Sequence, residues 1–326
     1  MKDKKISSII QRILLSAVLI FLVFYTTLPA INLRDRSFII FLMISIAIIL
    51  FVNFLSYMKV FLEGLNQGGI HGFHGISGAD IARPVKYGLG LIVILAAFYC
   101  VASLAGLKLF NASRYRDLIT INEGSFTEDI SEISMSQIPV VDKDTASRLG
   151  NRKLGEMTEL VSQFEIEEDY TQINYQGAPY RVTPLAYADP IKWLFNMQEG
   201  LPAYITVDMV SQETNLVWLE SGMKYSPSEY FFRNIYRYLR FSYPTKMFDI
   251  VSFEIDDNGT PYWVAPTIAY RVGWWDGKDI SGAVLVNAVT GESQYYPKEE
   301  VPQWIDQLYD SDLIISQLDD NGLFQH

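Results

Sequence analysis

His71 and His74 stand three residues apart in Gly68-Gly69-Ile70-His71-Gly72-Phe73-His74-Gly75, a spacing that could put two imidazoles on one metal ion. No cysteine is near enough to complete a ligand shell, and Glu63 and Asp80 are the only acids of the segment, so it reads as a connector. Its glycines also lack the strand-then-helix setting of a dinucleotide or phosphate loop. Glu254, Asp256, Asp257 and Asn258 bring acids together without the spacing of an EF-hand. A hairpin turn at Asn258-Gly259 accounts for them without calcium. Arg233, Arg237 and Arg240 recur at i, i+4, i+7, the spacing of one helix face. They could contact an anion or an acidic polymer, or pair internally with neighbouring acids. Trp274 and Trp275 stand in a loop between two strands, where a partner, a membrane or strand-end packing could take them. No nucleophile–base pair is visible: Cys100 is the single cysteine, and His326 is the only histidine after His74. No catalytic, cofactor or metal residue is assigned. Carboxylate or Ser–Lys pairs that form only in space stay open.

The elements that must position these residues fall into two dissimilar parts. Charged residues make up 19% of the chain and the mean hydropathy is +0.12, so apolar residues are concentrated rather than spread. Ile13–Leu33, Ser37–Met58 and Tyr87–Leu107 carry no charge and are each long enough for a membrane-spanning helix. Lys2, Lys4 and Lys5 resemble the start of a signal peptide. The first apolar run is too long for one, however, and a second span follows after only Arg34-Asp35-Arg36. Seven Lys and Arg residues flank the N-terminus and the second loop, against five near the first loop and the end of the third span. That bias predicts a cytoplasmic N-terminus and an exterior location for everything after Phe110. Ala102 and Gly106 form a small-xxx-small pair suited to close helix packing.

Charge divides at the same place. Residues 1–110 hold 10 basic and 4 acidic side chains, and residues 111–326 hold 16 basic and 33 acidic ones. The net charge of −11 is therefore +6 on an anchor and −17 on the remainder, which excludes a basic nucleic-acid binder. With no cysteine after Cys100, the second part depends on its hydrophobic core.

That second part contains an internal repeat. Gly177-Ala178-Pro179-Tyr180-Arg181-Val182-Thr183-Pro184 matches Gly259-Thr260-Pro261-Tyr262-Trp263-Val264-Ala265-Pro266 as G-x-P-Y-x-V-x-P. Val207-Asp208-Met209-Val210-Ser211-Gln212-Glu213 parallels Val286-Asn287-Ala288-Val289-Thr290-Gly291-Glu292, and Phe164-Glu165-Ile166 parallels Phe253-Glu254-Ile255. Alternation in these stretches predicts half-buried strands joined by tight turns at Gly177 and Asn258-Gly259. Helices are expected before each small sheet. One runs over about 144–157, capped by Asp142 or Asp144; another over about 226–241, opened by Ser226-Pro227-Ser228-Glu229. A short helix is expected over about 189–197, closed by Gly200. A last helix starts at Lys298 to Val301, with Trp304, Ile305 and Leu308 on one face.

These motifs resemble the bacterial PepSY domain, a helix followed by a small antiparallel sheet, with Val286 to Glu292 the closest stretch. Asn287 replaces the usual Asp there, and Gln212 replaces the Gly in the first copy. The whole chain also resembles a family of bacterial envelope proteins with an N-terminal membrane anchor. The PepSY resemblance implies an inhibitory or regulatory module outside the membrane, often acting around peptidases.

The expected fold is α+β: three N-terminal transmembrane helices, then tandem helix-plus-antiparallel-sheet units. The expected divisions are an anchor (1–110), a linker (111–139), two units (140–222 and 223–297), and a C-terminal helix (298–326) that either caps the array or opens a truncated third unit. The expected function is a multi-pass plasma-membrane protein presenting a non-catalytic binding or regulatory module to an envelope protein or peptidase. Residues Arg233, Arg237, Arg240, Trp274 and Trp275 are its candidate contacts with a partner or anion. The alternative is an enzyme, or enzyme subunit, of envelope polymer metabolism that uses carboxylates.

Overall fold

Long apolar runs with no interior charge form helices because the backbone must satisfy its own polar groups away from water. In the computed structural model, which describes residues 2–66, 78–125, 128, 134 and 138–325, three such helices open the chain. They are α1 (Lys2–Thr27), α2 (Arg36–Asn66) and α3 (Gly78–Ala105). Their apolar stretches, Ile9–Thr27, Arg36–Lys59 and Arg83–Ala105, are long and apolar enough to cross a membrane. Even the shortest, at 19 residues, spans about 28 Å. The first stretch ends at Thr27 rather than Leu33. Leu28 adopts a left-handed φ of 46° and precedes Pro29, which disfavours helical geometry in the residue before it. Asp35 then opens α2, its Oδ1 accepting the Ser37 N–H at 2.8 Å.

By internal contacts the chain divides into two units. One is Met1–Phe110 with Gly273–Asp276; the other is Asn111–Val272 with Gly277–His326. In the first, α1 packs on α2 and α2 on α3.

The second unit is helices with two antiparallel sheets. The first sheet holds β1 (Phe164–Ile166), β2 (Thr171–Tyr175), β3 (Ala178–Tyr187), β4 (Leu201–Asp208) and β5 (Thr214–Met223). Strands β1 and β2 share one edge of β3: Phe164 pairs with Tyr187 at one end and Asn174 with Pro179 at the other. Strands β4 and β5 continue the sheet on the opposite side. The second sheet runs β6 (Ser252–Ile255), β7 (Pro261–Val272), β8 (Asp276–Asn287) and β9 (Ser293–Pro297) in order. Helix α4 (Lys108–Arg116), kinked at Asn111, runs across the division between the units, and the helices that follow are α5 (Lys143–Gly155) and the single turn α6 (Thr158–Val161). They continue with α7 (Pro190–Asn196), α8 (Ile235–Ser242) and α9 (Ser311–Leu323). Asp142 caps α5 and Asp189 caps α7, each accepting backbone N–H groups of the first turn.

One core serves both sheets: Val182 and Ile205 from the first, Phe253, Trp263 and Val284 from the second, and Leu154 and Leu239 from α5 and α8. The second sheet is covered on its other face as well, where Val264, Ala283 and Leu285 meet Trp304, Ile305 and Leu308. Its central strands therefore read as apolar runs rather than clean alternation.

Three sequence expectations change here. The helix expected from Ser226 is interrupted. Ser226 Oγ accepts the Glu229 N–H at 3.2 Å, but Phe231 takes a φ of 52° and α8 starts only at Ile235, with Asn234 as its cap. The Glu229 side chain goes to Tyr187 and Trp193 instead of folding back on the cap. After Lys298–Glu300 the chain is extended at Val301, as expected of a residue before a proline, so Trp304, Ile305 and Leu308 sit in an irregular segment and α9 follows from Ser311. Finally, Phe164–Ile166 and Phe253–Ile255 do not correspond. Strand β6 pairs with Pro261–Val264, whereas β1 pairs with Leu185–Tyr187 at the far end of β3, and it is β2 that pairs with Pro179–Val182.

Candidate functional site

A cleft of about 800 Å³ opens in the second unit between β2 and β6. In an antiparallel strand, alternate residues point both backbone groups toward the neighbour or both away. Among the described residues, strand β2 pairs only with β3. The Asn174 N–H donates to Asp306 Oδ2, and the Gln172 carbonyl accepts Gln307 Nε2 at 2.9 Å, so these two residues face outward. The Gln172 N–H and the Asn174 carbonyl point the same way, along an edge that the C-terminal segment covers only in part.

Glu254 holds that segment from β6. Its Oε2 accepts the Asp306 N–H at 2.9 Å, and its Oε1 accepts the Gln307 N–H at 3.2 Å and the Ser252 hydroxyl at 3.1 Å. Burial pushes its carboxyl up to about 7, against the opposing pull of these hydrogen bonds. Within the cleft, burial and then the neighbouring Asp169, Glu165 and Glu168 raise Glu167, and burial raises Asp306. Arg181 contributes the positive charge. Its guanidinium reaches the carbonyls of Val141 and Tyr170 at 3.4 Å each, and burial lowers its pKa.

A second buried carboxylate, Glu229, accepts Tyr187 Oη–H at 2.8 Å and Trp193 Nε1–H at 2.7 Å. Burial raises its pKa and that of Tyr187. Both carboxylates are engaged on each oxygen by neutral donors, an arrangement that holds segments together. The capping pattern in the sequence pointed to Glu229 but not to its partners, and Glu254 stood out only as part of an acidic stretch that a hairpin turn accounts for.

Of the arginines expected on one helix face, Arg237 and Arg240 are on α8 and Arg233 precedes it. Arg233 lies in a 3-10 turn before α8 and donates to the Met197 carbonyl. Arg237 is half-buried on α8. Arg240 is buried, donates to the carbonyls of Pro244 at 3.3 Å and Lys246 at 2.6 Å, and lies 5.5 Å over the Phe248 ring. Asp256 caps a turn, its Oδ1 accepting the Asn258 and Thr260 N–H groups. Among the described residues no three His, Cys, Asp or Glu side chains are placed to hold a metal ion. His71 and His74 lie outside the described residues.

Trp274 and Trp275 belong to the first unit. Trp275 is 2% exposed, packed on Ile39 and Ala102 with Phe98 and Tyr99 around it. Both indole N–H groups donate to the Leu33 carbonyl, at 2.8 and 3.2 Å. Arg36 pairs with Asp276 at 2.7 Å and lies over the Trp275 ring. Gly106, the second small residue of the expected pair, is needed for the approach of Asp276: a Cβ there would lie 1.8 Å from the carboxylate.

Compared with known proteins, the chain matches no family model, no curated sequence and no solved structure.

Proposed function

We propose that this chain is a membrane-anchored, non-catalytic binding module of the bacterial cell envelope, which takes an extended segment of a partner polypeptide along the outer edge of β2. The observation that carries this reading is that edge, where Asp306 and Gln307 engage one backbone group each on Asn174 and Gln172 while the neighbouring groups point into a cleft. Strand addition uses such groups for affinity and the flanking pockets for specificity. The carboxylate-enzyme reading gains less support, because Glu254 and Glu229 are occupied by fixed donors.

The division into a linker (111–139), two PepSY-like units (140–222 and 223–297) and a C-terminal cover (298–326) belongs to the same proposal. Recurring backbone bonds support the duplication. Met209 N–H donates to the Pro179 carbonyl as Ala288 N–H does to Pro261, and the Met209 carbonyl accepts from Val140 and Val141 as that of Ala288 does from Lys224 and Tyr225. Asp208 and Asn287 close equivalent turns through Oδ1. The lysine and arginine bias supports an N-terminus inside and the acidic region outside the plasma membrane.

A photo-crosslinker at position 172, in native membranes, should yield adducts with an envelope polypeptide by mass spectrometry, and Asn174→Pro should remove them. Absence of any protein adduct, together with hydrolytic activity of the full-length protein, would overturn the reading. Protease added to intact cells should degrade the region after Phe110; full protection would invert the orientation.

A further inference from the structure

The three apolar stretches of α1 to α3 hold five charged side chains, and all five are basic. Arg36 stands at one end of the helices and pairs with Asp276. Arg12, Lys59, Arg83 and Lys86 stand at the other, where the first and third stretches begin and the second ends. Lys59, Arg83 and Lys86 are exposed there, whereas Arg12 is half-buried inside the first stretch. Its Nη1 donates to Asn53 Oδ1 at 3.2 Å, and its guanidinium carbon lies 5.8 Å from the centre of the Tyr57 ring. Asn53 and Tyr57 are also the two polar residues lining a pocket of about 260 Å³ between α2 and α3, whose other walls include Ile46, Leu50, Val85 and Leu91. Gly88 lets Leu50 form that wall: a Cβ there would lie 2.7 Å from Leu50 Cδ2.

The pocket and the cation ask for two chemistries in one ligand. Water finds few partners in an almost wholly apolar pocket, so hydrocarbon fills it best. A guanidinium at the edge of the hydrocarbon favours an anion beside it, and its N–H fork matches a phosphate or a carboxylate. No acid lies within the three stretches to serve that purpose, and Asp3, Glu63 and Asp80, the nearest acids on α1, α2 and α3 at this end, are outside them. A zwitterionic lipid would fill the pocket but bring no net charge to four cations. Basic pockets between membrane helices select anionic head groups for this reason.

We propose that this pocket binds an anionic lipid, with an acyl chain between α2 and α3 and its phosphate or carboxylate held by Arg12 beside Asn53 and Tyr57. The proposal rests on the reading of α1 to α3 as a membrane anchor and is independent of the β2 edge. The test is native mass spectrometry of the full-length protein in detergent, titrated with phosphatidylglycerol, oleate and phosphatidylcholine. Phosphatidylglycerol or oleate should be retained in preference to phosphatidylcholine, and the one retained identifies the head group as phosphate or carboxylate. Arg12→Gln should weaken that retention about tenfold, and Arg12→Lys should recover part of it. Leu91→Trp fills the pocket from a position 47% exposed on α3, which spares the helix packing, and should also weaken retention. Equal retention of all three lipids, or a preference unchanged by Arg12→Gln or by Leu91→Trp, would overturn the proposal alone. Recovery of the protein in the aqueous phase without detergent would overturn the anchor, and this proposal with it.

Discussion

Glu254 on β6 receives the backbone N–H of Asp306 on its carboxylate at 2.9 Å, across 52 residues of sequence. A strand in the middle of the second unit thereby holds the segment that borders the β2 edge. The interaction stands inside the protein, so its strength depends on the protonation state of a buried group.

Burial raises the folded-state pKa of Glu254 to about 7 from an ordinary 4.5. Between these values the folded protein binds a proton that the unfolded chain has released, so this group's contribution is present at low pH and lost as pH rises through about 7. The loss amounts to up to about 3 kcal/mol. Thermal unfolding of the wild type and Glu254→Gln from pH 4.5 to 8 should show the difference between them changing across that window. A pH-independent difference would contradict the assignment.

Trp275 and Trp274 are adjacent but inequivalent. Trp275→Ala empties a packed site beside Ile39 and Ala102 and should cost about 3–5 kcal/mol. Trp274, 36% exposed, should cost clearly less on the same change. Detergent-solubilised protein followed by circular dichroism on heating would rank the two.

Gln212 adopts a φ of 65° where the matching turn has Gly291 at 76°. A side chain in the left-handed region costs roughly 1–2 kcal/mol, part of which glycine returns as unfolded-state entropy. Gln212→Gly is therefore expected to stabilise the protein by up to about 1 kcal/mol, and Gly291→Gln to destabilise it. Denaturant midpoints would record both.

Arg240 serves as an internal brace. Arg240→Ala leaves the carbonyls of Pro244 and Lys246 without this donor and should cost about 2 kcal/mol. Arg240→Lys should restore little, because one ammonium cannot reproduce the guanidinium's flat contact with Phe248. Unfolding midpoints of the two variants would separate brace from surface charge.

Much of the architecture is legible along the chain because local patterns carry it. Uncharged runs identify α1 to α3, Asp142 and Asp189 mark helix starts, and Gly177 and Gly259 mark turns through their left-handed backbone. The candidate site was barely legible. Arg233, Arg237 and Arg240 have helical spacing, yet a turn at Phe231–Arg233 precedes α8 and places them differently. The match between Phe164–Ile166 and Phe253–Ile255 was one of composition, and register separates the two strands.

By itself the sequence determined three apolar helices long enough to cross a membrane, an α+β remainder, and a division of charge at Phe110. These follow from hydropathy, period and backbone preference, each acting over a few neighbouring residues. Only tertiary structure decided that both sheets share a core, that Trp275 is buried, and that Glu254 and Glu229 fasten distant segments. Burial and hydrogen-bond partners are set by residues tens of positions away, and the physical reason is desolvation: a carboxylate or an indole acquires its role from what excludes water around it.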